Sequence, residues 1–374
     1  MEPDMTDDLT HRRPTMIRCQ SCGEDVAGFE AYCEGCGAEL TPIMLAPPEY
    51  EEADSPLEPT RAVSTPAPTR PRCRECGGAI DDDGYCEVCG TKAASDRDHY
   101  EEAPAPWVAG SCDRGIRHRR NEDALALSAA VVPGSRAVLV VCDGVSTSDD
   151  SDVASLAAAR AARDLLTERQ PQGIADPAGR DRALREALTE AVRVANESVI
   201  AVTAAETRNA ASCTFAAAVV HEGRVICANV GDSRVYWISD HGSSQLLSRD
   251  DSVAQMHIEL GLSREEAESS PHAHAITKWL GRDAPDLAPT LRSLEVTESG
   301  WLVVCSDGLW NYASEPEDLE RVFAESLLRR TPGADPLILA DTLVRWACTQ
   351  GGRDNITVAL ARFGDPLDLS VLAG

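Results

Sequence analysis

The sequence predicts an α+β fold, in which one large domain of mixed strands and helices follows two small cysteine-rich units. Two observations carry this. From about Trp107 onward, short apolar runs alternate with long amphipathic stretches over some 260 residues. Ahead of that point, eight of the 14 cysteines fall in four C-x-x-C pairs that group into two similar sets. Size and composition agree, since 374 residues exceed one small module and 43% hydrophobic content is enough for a packed core.

The two small units come first. Cys19, Cys22, Cys33 and Cys36 form one set, with ten residues between its pairs. Cys73, Cys76, Cys86 and Cys89 form the second, with nine, and the sets repeat at an offset of 54 that shrinks to 53. Tyr32 and Tyr85 precede each third cysteine, while Gly23, Gly37, Gly77 and Gly90 follow each second and fourth. A tight C-x-x-C turn points two sulfurs at one ion, and a glycine behind it tolerates the positive φ such a turn often needs. Two such knuckles make a four-thiolate Zn²⁺ site, whose metal supplies most of the folding free energy of so small a unit. Redox pairs are the competing reading, but they sit singly in a βαβ context that is absent here. The pattern resembles the double zinc ribbon family over about residues 17–91. Ribbon 1 is expected at 17–40 and ribbon 2 at 72–91. Residues 41–71, rich in Pro, Ala, Thr and Glu, read as a disordered Pro-rich linker, and 92–107 as a second linker.

The large domain is expected at 108–364. Ala137–Cys142, Phe215–Val220, Arg224–Val230, Trp301–Cys305 and Ile356–Leu360 read as strands buried in sheets. Asp152–Arg169 reads as a helix with Val153, Leu156, Ala157, Leu165 and Leu166 on one face. Asp181–Glu206 places Leu184, Leu188, Ala191, Ala195, Val199 and Val202 at helical spacing, and Pro336–Gln350 is a third helix stopped by Gly351-Gly352.

Charge excludes some functions. Lys+Arg total 35 against 62 Asp+Glu, a formal net charge of -27. Nucleic-acid and anionic-membrane binders need a basic face, so neither partner is expected. No apolar run approaches a membrane span, and the acidic N-terminus lacks the pattern of a signal peptide. A reducing, cytoplasmic setting is therefore the expectation.

Chemistry concentrates where strands end. Val138–Cys142 runs into Asp143-Gly144, Val225–Val230 into Gly231-Asp232, and Leu302–Ser306 into Asp307-Gly308, while Asp354-Asn355 precedes the strand from Ile356. One Asp-Gly at a strand end is usually a hairpin turn. Four carboxylates converging from buried strands would repel strongly, and hard divalent cations are the usual remedy.

Six segments in order resemble the PPM, or type-2C, metal-dependent Ser/Thr protein phosphatases. They are Asn121-Glu122-Asp123, Val141-Cys-Asp143-Gly144, Gly231-Asp232-Ser233-Arg234, Leu246 to Val253, Cys305-Ser-Asp307-Gly308-Leu-Trp310, and Asp354-Asn355-Ile-Thr. Each is weak alone, but the ordered set is specific and spans about 112–362. The resemblance implies a four-layer sandwich of two central antiparallel sheets flanked by helices. It implies that Asp143 bridges two Mn²⁺ or Mg²⁺ ions. Asp307 and Asp354 would complete the first site, and the Gly144 carbonyl with Glu122 and Asp123 would hold the second. Asp232, with Asp307, would hold a third and weaker ion, and Asn355 would fix Asp354. Hydroxide generated between the metals would attack phosphorus in line with the departing serine or threonine oxygen of a phosphoprotein substrate. No cysteine need be catalytic, and Cys142, Cys213, Cys227 and Cys305 read as core residues.

Two departures stand out. Most members carry an Arg four residues before Glu122, where it grips phosphate; here the residue is His118. Three readings are open: Arg120 takes over the grip, the bound phosphate protonates His118, or His118 donates a proton. Arg120 lies on the same side as His118 only if the segment is extended. After Asp143-Gly144, the position of a eukaryotic general-acid His is Val145, which leaves leaving-group protonation unassigned. The stretch from Ser252 to Thr277 corresponds to the family's variable flap, and His272 and His274 within it read as part of a solvated loop. The leading function is an active phosphoprotein phosphatase whose ribbons dock a protein partner or regulate. A catalytically impaired phosphatase-fold binding protein is the alternative, because of His118. A ribbon-based nucleic-acid adaptor is disfavoured by the missing basic stripe.

Overall fold

The computed structural model describes residues 16–18, 25–27, most of 76–90 with 72 and 93, and 95–364 apart from 174–175, 205, 271 and 329–334. Cys19, Cys22, Cys33, Cys36, Cys73 and the 41–71 linker lie outside the described residues. The chain divides into units 1–69 and 70–374. Of the first, the description covers one antiparallel pair, β1 (Met16–Arg18) with β2 (Asp25–Ala27).

The second unit opens, after the second cysteine set, with β3 (His99–Ala105), β4 (Val108–Asp113), β5 (Ala124–Ala129) and β6 (Arg136–Cys142). Two long helices follow, α1 (Ser151–Glu168) and α2 (Pro177–Val202). Then come β7 (Ser212–Cys213), β8 (Phe215–His221), β9 (Arg224–Val230), β10 (Arg234–Ser239) and β11 (Gln245–Leu246). Short helices α3 (Val253–Glu259) and α4 (Arg264–Glu268) precede β12 (Leu280–Gly281), β13 (Thr290–Glu295) and β14 (Gly300–Cys305). The unit ends with α5 (Asp307–Trp310), α6 (Pro316–Leu328), α7 (Pro336–Gln350) and β15 (Ile356–Phe363).

Two antiparallel sheets result, one six-stranded in the order β11-β10-β14-β15-β4-β3 and one five-stranded in the order β13-β9-β8-β6-β5. Alternation along each strand builds the layers. In β6, Ala137, Leu139 and Val141 join Leu302, Val304 and Ala359 of the other sheet in the central core. Val138, Val140 and Cys142 face the opposite way, into a core shared with α1 and α2. In β14, Trp301, Val303 and Cys305 pack beneath α6 and α7. Strands buried on both faces read as unbroken apolar runs, which is why these were visible in the sequence. The predicted four-layer sandwich is the observed fold. Among the described residues, no helix is long and apolar enough to cross a membrane.

Three expectations need correction. Residues 92–107 are not simply a linker, because His99–Ala105 is an edge strand paired antiparallel with β4. An edge strand carrying Pro104, a histidine and two glutamates looks like a linker in composition, since three of its seven residues are exposed. The buried face of α1 is Ser151, Ala154, Ser155, Ala158, Ala159, Ala162 and Leu166, whereas Val153 is 45% exposed. Small residues let this helix approach the sheet and α2 closely. Val202 is likewise exposed, at the C-terminus of α2.

Candidate active site

The acidic residues of the site sit at the ends of strands, in irregular segments except for Asp307, which begins a short helix. Asp143 follows β6 and is held by Thr214, whose Oγ1 accepts from the Asp143 N–H at 3.0 Å and whose N–H donates to the Asp143 carbonyl at 2.7 Å. Gly144 must be glycine, since a Cβ would stand 2.6 Å from the Glu122 carbonyl oxygen and 2.8 Å from that of Ser151. The same tightness holds at Gly308, where a Cβ would meet the Asn355 carbonyl at 1.9 Å. Asp307 opens α5, with Asn311 Nδ2 donating to its Oδ2 at 3.0 Å.

The charges converge. Burial, then the charges of Asp123, Asp307, Asp354 and Asp232, push the Asp143 carboxyl well above the ordinary range. Asp307 is raised by burial and by Asp354, Asp232 and Asp123. Asp123 is pushed up to about 6, chiefly by burial, against donation from Ser306 and Thr357. Those two hydroxyls occupy its Oδ2, at 2.6 and 2.7 Å. Burial and the charge of Asp250 lift Asp232 to about 7. Oδ1 of Asp123 and Oδ1 of Asp307 are buried and have no partner in the protein. Partnerless, desolvated carboxylate oxygens facing like charge are a donor set that fits hard divalent cations. Among the described residues, no three of these carboxylates bring ligand atoms within 4.8 Å of one another.

Glu122 behaves differently. Burial pushes it up, but hydrogen bonds from Ser151, Ser146 and Arg120 outweigh this and hold it below the ordinary carboxylate value. Ser146 and Ser151, from the polar loop after Gly144, are functional residues that sequence reasoning missed; only their place beside the motif hinted at them. Asn355 does more than expected. Its backbone N–H donates to Asp354 Oδ1 at 2.8 Å, while its side chain accepts from the Glu122 N–H and donates to the Arg114 and Arg120 carbonyls.

His118 lies at the mouth of this cluster, its Nε2 3.3 Å from Asp354 Oδ1 and its Nδ1 3.6 Å from Glu122 Oε2. The segment around it is turn and bend rather than extended strand. Arg120 instead folds onto Glu122, donating from Nε and Nη2 at 3.0 and 2.7 Å, and approaches Asp152. Its fork is therefore engaged with carboxylate, and the extended geometry that would turn it toward a phosphate beside His118 is absent. His272 and His274 are exposed. They sit in a turn, as expected of a solvated loop, although the flap also holds two short helices, with Ser252 capping α3 and a Ser263–Glu266 capping box starting α4. Behind Asp232, buried Arg234 pairs with Asp250 and Glu268 and stacks on Trp310 at 3.6 Å. Cys142, Cys213, Cys227 and Cys305 are all in the core.

In the second cysteine set, the sulfurs of Cys76, Cys86 and Cys89 fall within 4.8 Å of one another. Cys76 Sγ stands 3.4 Å from Cys86 and 3.3 Å from Cys89, near the roughly 3.8 Å edge of a tetrahedral zinc–thiolate site. Gly77 and Gly90 take positive φ, +74° and +70°. His99, Glu101 and Asp341 also cluster, but Arg345 occupies both Asp341 oxygens, so these residues form an ion-pair network.

Residues 114–346 match the protein phosphatase 2C family. The serine/threonine phosphatase stp of Listeria monocytogenes serovar 1/2a is 30% identical over 251 residues, covering 66% of this chain and 92% of that protein. A crystal structure of the Mycobacterium tuberculosis serine/threonine phosphatase PstP/Ppp aligns with a TM-score of 0.56 at 26% identity, covering 71% of this chain and 99% of that one. The catalytic domain of the serine threonine protein phosphatase PstP in complex with two manganese ions aligns with a TM-score of 0.53 at 26% identity, covering 71% and 99%.

Proposed function

The chain belongs to the protein phosphatase 2C family, and from that premise we propose that it hydrolyses phosphoserine and phosphothreonine in protein substrates at the carboxylate ring. One observation carries the assignment: the charges of five aspartates from separate strand ends meet around buried oxygens that have no partner, and with burial they push the Asp143 and Asp307 carboxyls well above the ordinary range. We assign Asp143, Asp307 and Asp354 to one Mn²⁺ or Mg²⁺ site. Asp143, Asp123, Glu122 and the Gly144 carbonyl are assigned to a second, and Asp232 with Asp307 to a weaker third. Cations held there would activate water and neutralise phosphoryl charge.

The chain's own groups do the rest. Asn355 and Thr214 fix the backbones of Glu122 and Asp143. Arg120, Ser146 and Ser151 keep Glu122 ionised and oriented. His118, 25% exposed beside Asp354, is the group placed to touch the incoming phosphate, either as an imidazolium or as a single neutral donor. Four-thiolate zinc sites at Cys73, Cys76, Cys86 and Cys89, and by the repeat at Cys19, Cys22, Cys33 and Cys36, would make the ribbons structural modules suited to docking a protein partner.

The test is hydrolysis of p-nitrophenyl phosphate and of a phosphothreonine peptide with Mn²⁺. Activity should be lost by at least about a hundredfold in Asp143→Ala or Asp307→Ala, as for removal of a group that stabilises transition-state charge. Metal-loaded wild-type protein without turnover would overturn the reading. The substitution of His118 for the phosphate-gripping Arg favours a second reading, an impaired enzyme that mainly binds phosphoproteins. His118→Arg decides between them, because a large gain in rate would mark the native site as impaired.

A further inference from the structure

Arg97 lies in the turn Ser95–Asp98, just ahead of β3 and outside the family-matched residues 114–346. The turn is fixed internally by the Asp98 N–H donating to the Ser95 carbonyl at 2.9 Å. It is tied to the domain by the Arg114 N–H donating to the Asp98 carbonyl at 2.8 Å. From it, Arg97 Nη2 donates to three main-chain carbonyls: Asp123 at 2.8 Å, Asp152 at 3.2 Å and Asn121 at 3.4 Å. Asn121 Nδ2 answers with a 2.8 Å bond to the Arg97 carbonyl. Nη1 reaches the Tyr100 hydroxyl at 3.4 Å, and that hydroxyl accepts the Leu125 N–H at 2.8 Å.

Residues 121–123 precede β5 and have no sheet ladder, so their carbonyls need partners from elsewhere. One planar guanidinium joins this loop to the first turn of α1, whose Ser151 and Ser155 bond Glu122. We propose that Arg97 is a positioning residue for the cation site, holding the backbone that presents Glu122 and Asp123. This rests on the assignment of those two carboxylates as cation ligands. Arg97 touches only backbone there, so it acts through the ligands and not on substrate. The three carbonyls share the two hydrogens of Nη2 while Nη1 reaches the Tyr100 hydroxyl, so a lysine, with a single nitrogen on a shorter head group, can replace the carbonyl contacts but not both ends of this bridge.

The experiment uses the full chain: wild type, Arg97→Ala, Arg97→Lys, and Arg224→Ala as control, since Arg224 pairs with Asp181 on α2 and touches none of the site. Mn²⁺ is titrated calorimetrically into protein freed of weakly held cations, beside melting temperatures and p-nitrophenyl phosphate kinetics. Arg97→Ala should weaken Mn²⁺ binding about tenfold, the lower end of what outer partners of metal ligands contribute. Arg97→Lys should recover part of this, KM at saturating Mn²⁺ should hold, and Arg224→Ala should leave Mn²⁺ affinity unchanged. Wild-type affinity in Arg97→Ala overturns the inference alone. So does an equal loss in the control, which would signal general loosening. A wild type that binds no Mn²⁺ overturns the cation-site assignment together with it. If Arg97→Ala does not fold, Arg97→Met, which keeps the aliphatic stem and removes every donor, carries the test, and wild-type affinity there overturns the inference.

Discussion

At Asp232, burial and the neighbouring Asp250 charge lift the carboxyl from 3.8 to about 7, even though Arg234 pulls it back. The sign of its effect on stability follows. Between about pH 4 and 7 the folded chain holds a proton that the unfolded chain has released, so metal-free stability falls as pH rises through that window. Asp232→Asn removes this group. The metal-free melting temperature of the variant should exceed that of wild type by a margin that grows from about pH 4 to about pH 7 and is flat above. A margin independent of pH would show that Asp232 carries no raised pKa. The aspartates themselves were legible, because an acidic residue at the end of an apolar strand is a local pattern. Arg234 was legible only as the end of the Gly231–Arg234 segment, without its partners, and Ser146 and Ser151 were not legible as parts of the site. A fully buried arginine makes sense only once Asp250, Glu268 and Trp310 surround it, and nothing local announces that the two serines bond Glu122.

Among elements, α1 shows how a helix can be placed correctly and its face read only in part. Leu156, Leu165 and Leu166 of the expected stripe do pack on the core, yet Val153 does not, and Ala154, Ala158, Ala159 and Ala162 are fully buried. Ala158 is fully buried there, so Ala158→Leu should cost about 1–3 kcal/mol through overpacking. Val153→Ala, on the 45%-exposed side, should stay within about 0.5 kcal/mol. Urea unfolding of both variants checks the assignment, and the reverse order would restore the face read from the sequence. The same logic sorts the strands. β6, β8, β9, β14 and β15 were legible as unbroken apolar runs, whereas β4 (VAGSCD) and β5 (ALALSA) are interrupted by small or polar residues, and β10 (RVYWIS), though wholly buried, is bracketed by Arg234 and Ser239. Helix α4 did carry a readable signal in Ser263-Arg-Glu-Glu266, the spacing of a capping box.

Across the second unit, the boundary of the catalytic domain is set by hydrogen bonds that cross between the sheets. Composition places it near residue 108, after an acidic stretch: the first 108 residues carry 23 acidic and nine basic side chains. Yet β3 does more than extend the six-stranded sheet. Its Tyr100 hydroxyl accepts the Leu125 N–H at 2.8 Å, and its Glu102 Oε2 accepts the Leu127 N–H at 2.7 Å. Both donors belong to β5, the edge strand of the other sheet, so side chains of one sheet's edge satisfy the backbone of the other's. A fragment of residues 105–364 loses both acceptors, the β3–β4 ladder and Arg97, whereas residues 94–364 keep them all. Leaving a donor unpartnered costs about 1–3 kcal/mol, less where water can reach it. In a domain this size, 1 kcal/mol moves the melting temperature by about 2–4 °C, so the shorter fragment should melt at least about 5 °C below the longer one. Thermal unfolding of the two fragments in one buffer measures the difference, and equal melting temperatures would return residues 95–105 to the role of a linker.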